Sequence, residues 1–308
     1  MANIKLKKPL LSAAILACLF GGALTTIGST TGGVNDLVNS AKSKVKLTKK
    51  EESFSDLSSL NINLAARNLV ISESPDDKAH LTYYQSDGNY QIDGSSLGNI
   101  TTSSENGNLN IKEDGAGSFH ISAGIRSLLS LFDQESQGKR TVQLSLPKGT
   151  KLETFSGSSS LGDVTLSNLS AKNADFSLSN GSLTVNDSQF ASGKFKNSLG
   201  EVNLNSSKIS DSTLKISSGS LNSEQLELAG TISITDQLGD INLHLVSGSL
   251  SQLSFDLKTD LGEIDIPSGI NVEHSKGDEL GGSAIRKVEN PTTTLSASAQ
   301  SGSIKLSE

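Results

Sequence analysis

The residues of this 308-residue chain able to do chemistry are few and scattered. His80, His120, His244 and His274 show no metal-ligand spacing, and no supporting polar pattern accompanies them. The single cysteine, Cys18, lies inside an N-terminal apolar run, so the body of the chain has neither a disulfide nor thiol chemistry. Serine is abundant, yet no Gly-x-Ser-x-Gly elbow with a histidine partner stands out. Glycoside cleavage needs two carboxylates set across a sugar. Asp and Glu number 33, but nowhere do acids, arginines and aromatics gather on one repeat. The expectation is a protein that is not an enzyme and holds no cofactor or metal.

One set of polar side chains is regular. The residue after a recurring glycine alternates between acid and serine: Asp163, Ser182, Glu201, Ser220, Asp240. Carboxylates in line can hold calcium between the turns of a β-roll. Here equivalent acids fall two repeats apart, about 9.6 Å if repeats stack at strand spacing. Calcium–oxygen bonds are about 2.4 Å, so two such acids cannot share one ion. The alternation instead keeps like charges off neighbouring turns.

The elements that must carry these residues follow from the same repeat. Ser160-Leu161-Gly162-Asp163-Val164-Thr165-Leu166 recurs as Ser179-Asn180-Gly181-Ser182-Leu183-Thr184-Val185, then at Gly200, Gly219 and Gly239, and again at Gly262 and Gly302. From Gly162 to Gly239 the glycines step by 19, 19, 19 and 20 residues. Between them runs a second apolar set, Phe176/Leu178, Phe195, Leu214/Ile216, Ile232/Ile234 and Phe255/Leu257, spaced as in a strand with one buried face. Each period reads as two short strands joined by Ser/Asn/Gly corners. A constant step near 20 residues means stacked units. The predicted fold is therefore all-β, a parallel β-solenoid with turns of about 19 residues, each lying over the last; an antiparallel sandwich is the alternative. Upstream, Leu60 to Leu64, Leu69 to Ile71, His80 to Tyr84 and Leu109 to Ile111 read as less regular end turns.

Composition agrees. Trp is absent and aromatics are 4%, which suits thin aliphatic turns better than a compact globular core. The net charge of −7 argues against nucleic acid as a partner.

Residues 1–34 are a separate physical object. Lys5, Lys7 and Lys8 precede an uncharged run whose apolar core, Leu10 to Ile27, is long enough to span a bilayer as one helix. A cleaved signal peptide, which would release a secreted protein, and a lipoprotein site at Cys18 are the alternatives to an uncleaved anchor. Residues 35–51, with Lys42, Lys44, Lys46, Lys49 and Lys50, read as a juxtamembrane linker, either attracted to anionic headgroups or simply solvated. The repeat domain is then 52–308, extracytoplasmic on a single-pass chain.

Arg140 to Leu152, containing Leu146-Pro147-Lys148-Gly149-Thr150, followed by Ser156-Gly157-Ser158-Ser159-Ser160-Leu161-Gly162-Asp163-Val164, resembles a bacterial β-strand-repeat family labelled as candidate adhesins. Phe54 to Leu57 and Ile71 to Ser74 are similar to that family's first strands, and the likeness covers about residues 52–306. An anchor followed by such a domain is similar to single-span Lia-type proteins of envelope-stress systems. The resemblance implies a sensing or binding role against membrane-active antimicrobials, with envelope-stress membrane proteins or cationic peptides as partners. A passive structural or adhesive surface protein is the other expectation.

Residues 113–139 interrupt the array. Ile125, Leu128, Leu129 and Phe132 have the spacing of an apolar helical stripe, and Phe119 and Ile121 add to it. This insertion is the predicted contact with a partner or with the membrane, against the alternative that it caps or flanks the solenoid.

Overall fold

The computed structural model describes residues 47–86, 91–92, 95–96, 98–114, 138–276 and 281–308. Two large sheets, of 12 and 11 strands, bury their aliphatic side chains in one cluster. Each turn gives a long strand to the first sheet and a short strand to the second. The regular turns are Lys151–Ser159 with Val164–Ser167, Ser170–Asn180 with Leu183–Asn186, Gln189–Leu199 with Val202–Asn205, Lys208–Ser218 with Leu221–Glu224, and Glu227–Leu238 with Ile241–His244. Neighbouring turns pair in parallel, with Lys151 opposite Ser170, Ser170 opposite Gln189 and Gln189 opposite Lys208, so the sequence period is the register. The predicted parallel β-solenoid is the architecture that forms. The one 20-residue step has a local cause: Ser212 pairs with Ile232, and the extra residue is taken up as a bulge beside Asp211, whose carboxylate accepts the Thr231 N–H at 2.9 Å.

Alternation of side chains along each strand puts apolar residues inside and Ser, Thr, Asn and Lys outside. Inside, size is balanced between adjacent columns. Gly157 lies between Ile62 and Phe176 in one column, while Phe155 in the next stacks on Phe176 with ring centroids 5.5 Å apart. At Gly193 a Cβ would come within 2.5 Å of the Phe195 ring, so that glycine is the space the ring occupies. Outside, equivalent asparagines form ladders: Asn205 Nδ2 donates to Asn186 Oδ1, and Asn242 Nδ2 to Asn222 Oδ1, both at 3.0 Å.

The order of stacking departs from the order of the sequence. Thr293–Ser301 and Ile304–Ser307 lie between the turn of Glu227–Leu238 and the turn of Leu253–Leu261 with Ile264–Asp265. The C-terminal turn thus stands next to last. At the other end Ser59–Leu64 and Asn68–Glu73 pair with the first regular turn, and Asn108–Asp114 with Thr141–Leu146 lies beyond them. The expectation that each turn lies over the previous one fails at both ends, because an end turn must leave no bare parallel edge. Antiparallel strands close these ends: Ala79–Ser86 on Thr141–Leu146, Leu47–Phe54 on Ala79–Ser86, Asn99–Glu105 on Asn108–Asp114, and Gly282–Arg286 on Leu253–Leu261.

Two boundaries move. Lys49, Lys50 and Glu51, read as linker, lie in the strand Leu47–Phe54. Glu113, read as the start of the insertion, is a buried strand residue. The apolar run Leu10 to Ile27 lies outside the described residues; among those described, no helix is long and apolar enough to cross a membrane.

Candidate functional site: the glycine corner

Seven turns pass from the long to the short strand through a corner at the repeated glycine. Gly162, Gly181, Gly200, Gly219, Gly239, Gly302 and Gly262 stack in that order, all with positive φ. A Cβ on Gly200 (φ 125) would lie 2.2 Å from the Gly181 carbonyl oxygen, so backbone packs on backbone and no larger residue fits.

At four of these corners, those of Asp163, Ser220, Asp240 and Ser303, the residue after the glycine holds the next turn. Asn68 Oδ1 accepts the Asp163 N–H at 2.9 Å, Asp163 Oδ1 accepts that of Ser182 at 2.9 Å, and Ser220 Oγ accepts that of Asp240 at 3.2 Å. Asp240 Oδ1 then accepts from Ser303 at 2.7 Å, and Ser303 Oγ from Glu263 at 3.2 Å. In stacking order the series is Asp163, Ser182, Glu201, Ser220, Asp240, Ser303, Glu263. The alternation seen up to Asp240 therefore continues without a break, because the C-terminal turn inserts its serine between two acids.

Two kinds of turn alternate. One reads Leu-Gly-acid at the corner (Leu161, Leu199, Leu238, Leu261); the other carries Asn180, Ser218 or Ser301 before Gly-Ser. The leucine turns also bury a polar residue two positions earlier: Ser159, Asn197, Asp236 and Thr259, where the other turns bury Leu178, Ile216 and Ala299. Asn197 Nδ2 donates to the carbonyls of Gly200 at 2.9 Å and Gly181 at 3.3 Å, and Thr259 Oγ1 to that of Gly302 at 2.7 Å. Asp236 accepts the Leu238 N–H at 3.1 Å through Oδ1, while Oδ2 has no protein partner. Burial, opposed by that hydrogen bond and helped by the nearby Asp240 charge, pushes the Asp236 carboxyl up to about 6.

The corner series ends at Arg67, whose carbonyl oxygen would lie 2.5 Å from a Cβ on Gly162. Arg67 is 1% exposed. Its Nε meets Glu113 Oε1 at 3.3 Å, Nη1 donates to the Tyr84 carbonyl at 3.0 Å and Nη2 to that of Gly98 at 2.9 Å. Glu113 also accepts the N–H groups of Ala65, Ala66 and Gly98 at 2.8–2.9 Å. Burial lowers the Arg67 pKa, and Glu113 opposes that shift.

The insertion leaves from this same edge. Asn63 pairs with Lys112 and Asn68 with Thr141, so the described strand ends on either side of 115–137 lie beside the two strands that the three-residue corner Ala65-Ala66-Arg67 joins in the neighbouring turn. Phe119, Ile121, Ile125, Leu128, Leu129 and Phe132 lie outside the described residues. His80 contacts Ser53 and Asp76, and His244 contacts Ser307; the two are not brought together. Among the described residues no group of three His, Cys, Asp or Glu could hold a metal. A cleft of about 260 Å³ between Glu227–Leu228, Leu245–Leu253 and Thr292–Thr293 has Glu227 as its one acid, paired with Lys208. The corner leucines were missed in the sequence, although Leu161, Leu199, Leu238 and Leu261 each precede Gly-acid; a leucine among many aliphatics reads as core.

Among solved structures the chain is similar to a candidate cell adhesion protein from Clostridium sporogenes, with 12% identity, 85% of this chain and 99% of that one covered, and a TM-score of 0.37. It is also similar to candidate adhesins from Parabacteroides distasonis (12% identity, 85% and 98% covered, TM-score 0.36) and Bacteroides fragilis (14%, 85% and 97%, TM-score 0.31). Likeness this distant carries no functional argument. No curated protein matches the chain. The family model described as Toastrack DUF4097 matches residues 26–307, nearly the whole repeat array with its caps, and the chain belongs to that family.

Proposed function

We propose that this protein is a non-catalytic binding module displayed outside the cytoplasm, anchored by the apolar segment Leu10 to Ile27, and that it works at the glycine corner in the response to cell-envelope stress. The observation that carries the reading is the register of the strand ends that flank 115–137: Lys112 pairs with Asn63 and Thr141 with Asn68, on either side of the Ala65-Ala66-Arg67 corner, at the edge that also bears the leucines and acids. The described strand ends on either side of it are fixed by the buried Arg67–Glu113 pair and the buried Arg140. Loops held on a rigid scaffold commonly carry recognition. The resemblance to Lia-type proteins supports membrane proteins of envelope stress, or cationic peptides, as partners. A passive adhesive or structural role is the second reading, favoured by the long polar outer faces of the two sheets.

Full-length protein in nanodiscs, with and without residues 115–137, titrated with a labelled cationic antimicrobial peptide at two salt concentrations, tests this. Saturable binding that weakens with salt and is lost on deletion is the expected result. Binding unchanged by deletion would remove the insertion from the reading, and absence of binding at either salt would remove peptide capture.

A further inference from the structure

Leu199, Leu238 and Leu261 are the large apolar side chains exposed on this protein among the described residues, at 53%, 57% and 53%. Single exposed leucines need no explanation. These three hold one structural position at alternate turns, with the half-buried Leu161 as the fourth member of the row. Two residues on from each stands an exposed acid: Asp163, Glu201, Asp240 and Glu263. None of these four acids forms an ion pair among the described residues; nearby Lys258 pairs with Asp260, and Lys305 with Asp265.

Neither feature is required by the fold. The intervening corners adopt the same glycine geometry with Asn180, Ser218 or Ser301 in place of leucine. Ser220 and Ser303 accept the next turn's N–H as Asp163 and Asp240 do, so the negative charge is dispensable for that bond. A row that the fold does not need, apolar at its crest and acidic on its flank, is a recognition surface.

We infer that this ridge takes a basic amphipathic α-helix. Two turns of solenoid separate successive leucines by about 9.6 Å. Residues seven apart on a helix are about 10.5 Å apart, a mismatch of about 1 Å per step that side chains absorb. An extended strand turns the same face outward every about 6.8 Å and falls out of phase. A polyproline II segment repeats at about 9.3 Å but offers one side chain per repeat. A helix surrounds each leucine with four side chains and brings a basic residue over each carboxylate. Charge also decides against a second copy, whose acids would face these acids, and against an anionic lipid surface. The inference goes beyond the function proposed above, since it needs neither the anchor nor the insertion.

The test uses full-length protein and a synthetic three-heptad peptide with Leu at the inner positions and Lys on the flanks. Wild type is expected to bind it with a rise in peptide helicity. The triple change Leu199→Ser, Leu238→Ser, Leu261→Ser should weaken binding by tenfold or more; Glu201→Ser, Asp240→Ser, Glu263→Ser should weaken it and flatten its salt dependence. Both variants copy corners the protein already contains, and unchanged melting temperatures would show that they fold. Equal binding by wild type and both variants overturns the inference, as does equal binding of a Glu-flanked peptide, tighter binding of a proline-rich basic peptide, or a leucine-dependent dimer by sedimentation. Deleting residues 115–137 should leave this binding intact, which separates its failure from that of the insertion.

Discussion

Asp236 occupies, two turns away, the place that Asn197 holds, and the two differ in what they can give to the corner. The Asn197 amide donates to glycine carbonyls; an ionised Asp236 can only accept, in a spot 1% exposed. With its value moved from 3.8 to about 6, the folded state holds the proton more tightly than the unfolded state does. The stability this contributes is full below about pH 3.8 and is lost as pH rises through about 6, an amount of about 2–3 kcal/mol. Asp236→Asn should therefore raise the melting temperature at pH 7.5 and leave it nearly unchanged near pH 4. Thermal melts of both proteins across that range would show it, and curves that stay parallel would mean Asp236 does not titrate there.

Among the described corners that join a long strand to its short one, Ala65-Ala66-Arg67 is the one without glycine. Glu113 supplies what the glycine geometry supplies elsewhere, by accepting three backbone N–H groups and the Arg67 guanidinium. Removing one member of a buried pair leaves the other charge uncompensated. Glu113→Ala should cost about 3–5 kcal/mol and Glu113→Gln less, because the amide oxygen still accepts. Denaturant melts of both variants measure this; equal losses would mean that charge, not hydrogen bonding, holds the corner. The carboxylate was hidden in the sequence. Glu113-Asp114-Gly115 reads as the polar start of a loop, and its partner Arg67 lies 46 residues away.

Over the whole molecule, the last turns depend on the end of the chain. Thr293–Ser301 pairs on one side with Glu227–Leu238 and on the other with Leu253–Leu261. A chain ending at Lys287 should lose amide protection across 253–265 while 151–224 stays protected, because a solenoid is held by nearest-neighbour contacts. Hydrogen exchange decides. Retained protection at 253–261 would mean that this strand closes the gap and pairs directly with 227–238.

The sequence by itself determined the turn. A 19-residue step, strand-spaced aliphatics and a recurring corner glycine favour parallel stacking over an antiparallel sandwich, since these are local properties that repeat. The alternation of acid and serine was legible up to Asp240. The tertiary structure decided the order of the turns: the insertion of 293–307 before 253–265, and of 59–73 between 151–167 and the strands 108–114 and 141–146. Equivalent turns have nearly the same edge, so nothing in one repeat says which other repeat it will meet. That is settled by the caps, by side-chain size across columns, and by the corner series, in which Ser303 fits between Asp240 and Glu263 while two adjacent acids would repel. It also decided that Leu199, Leu238 and Leu261 stand exposed and Leu161 half-buried, because only the folded corner sets which way the residue before glycine points.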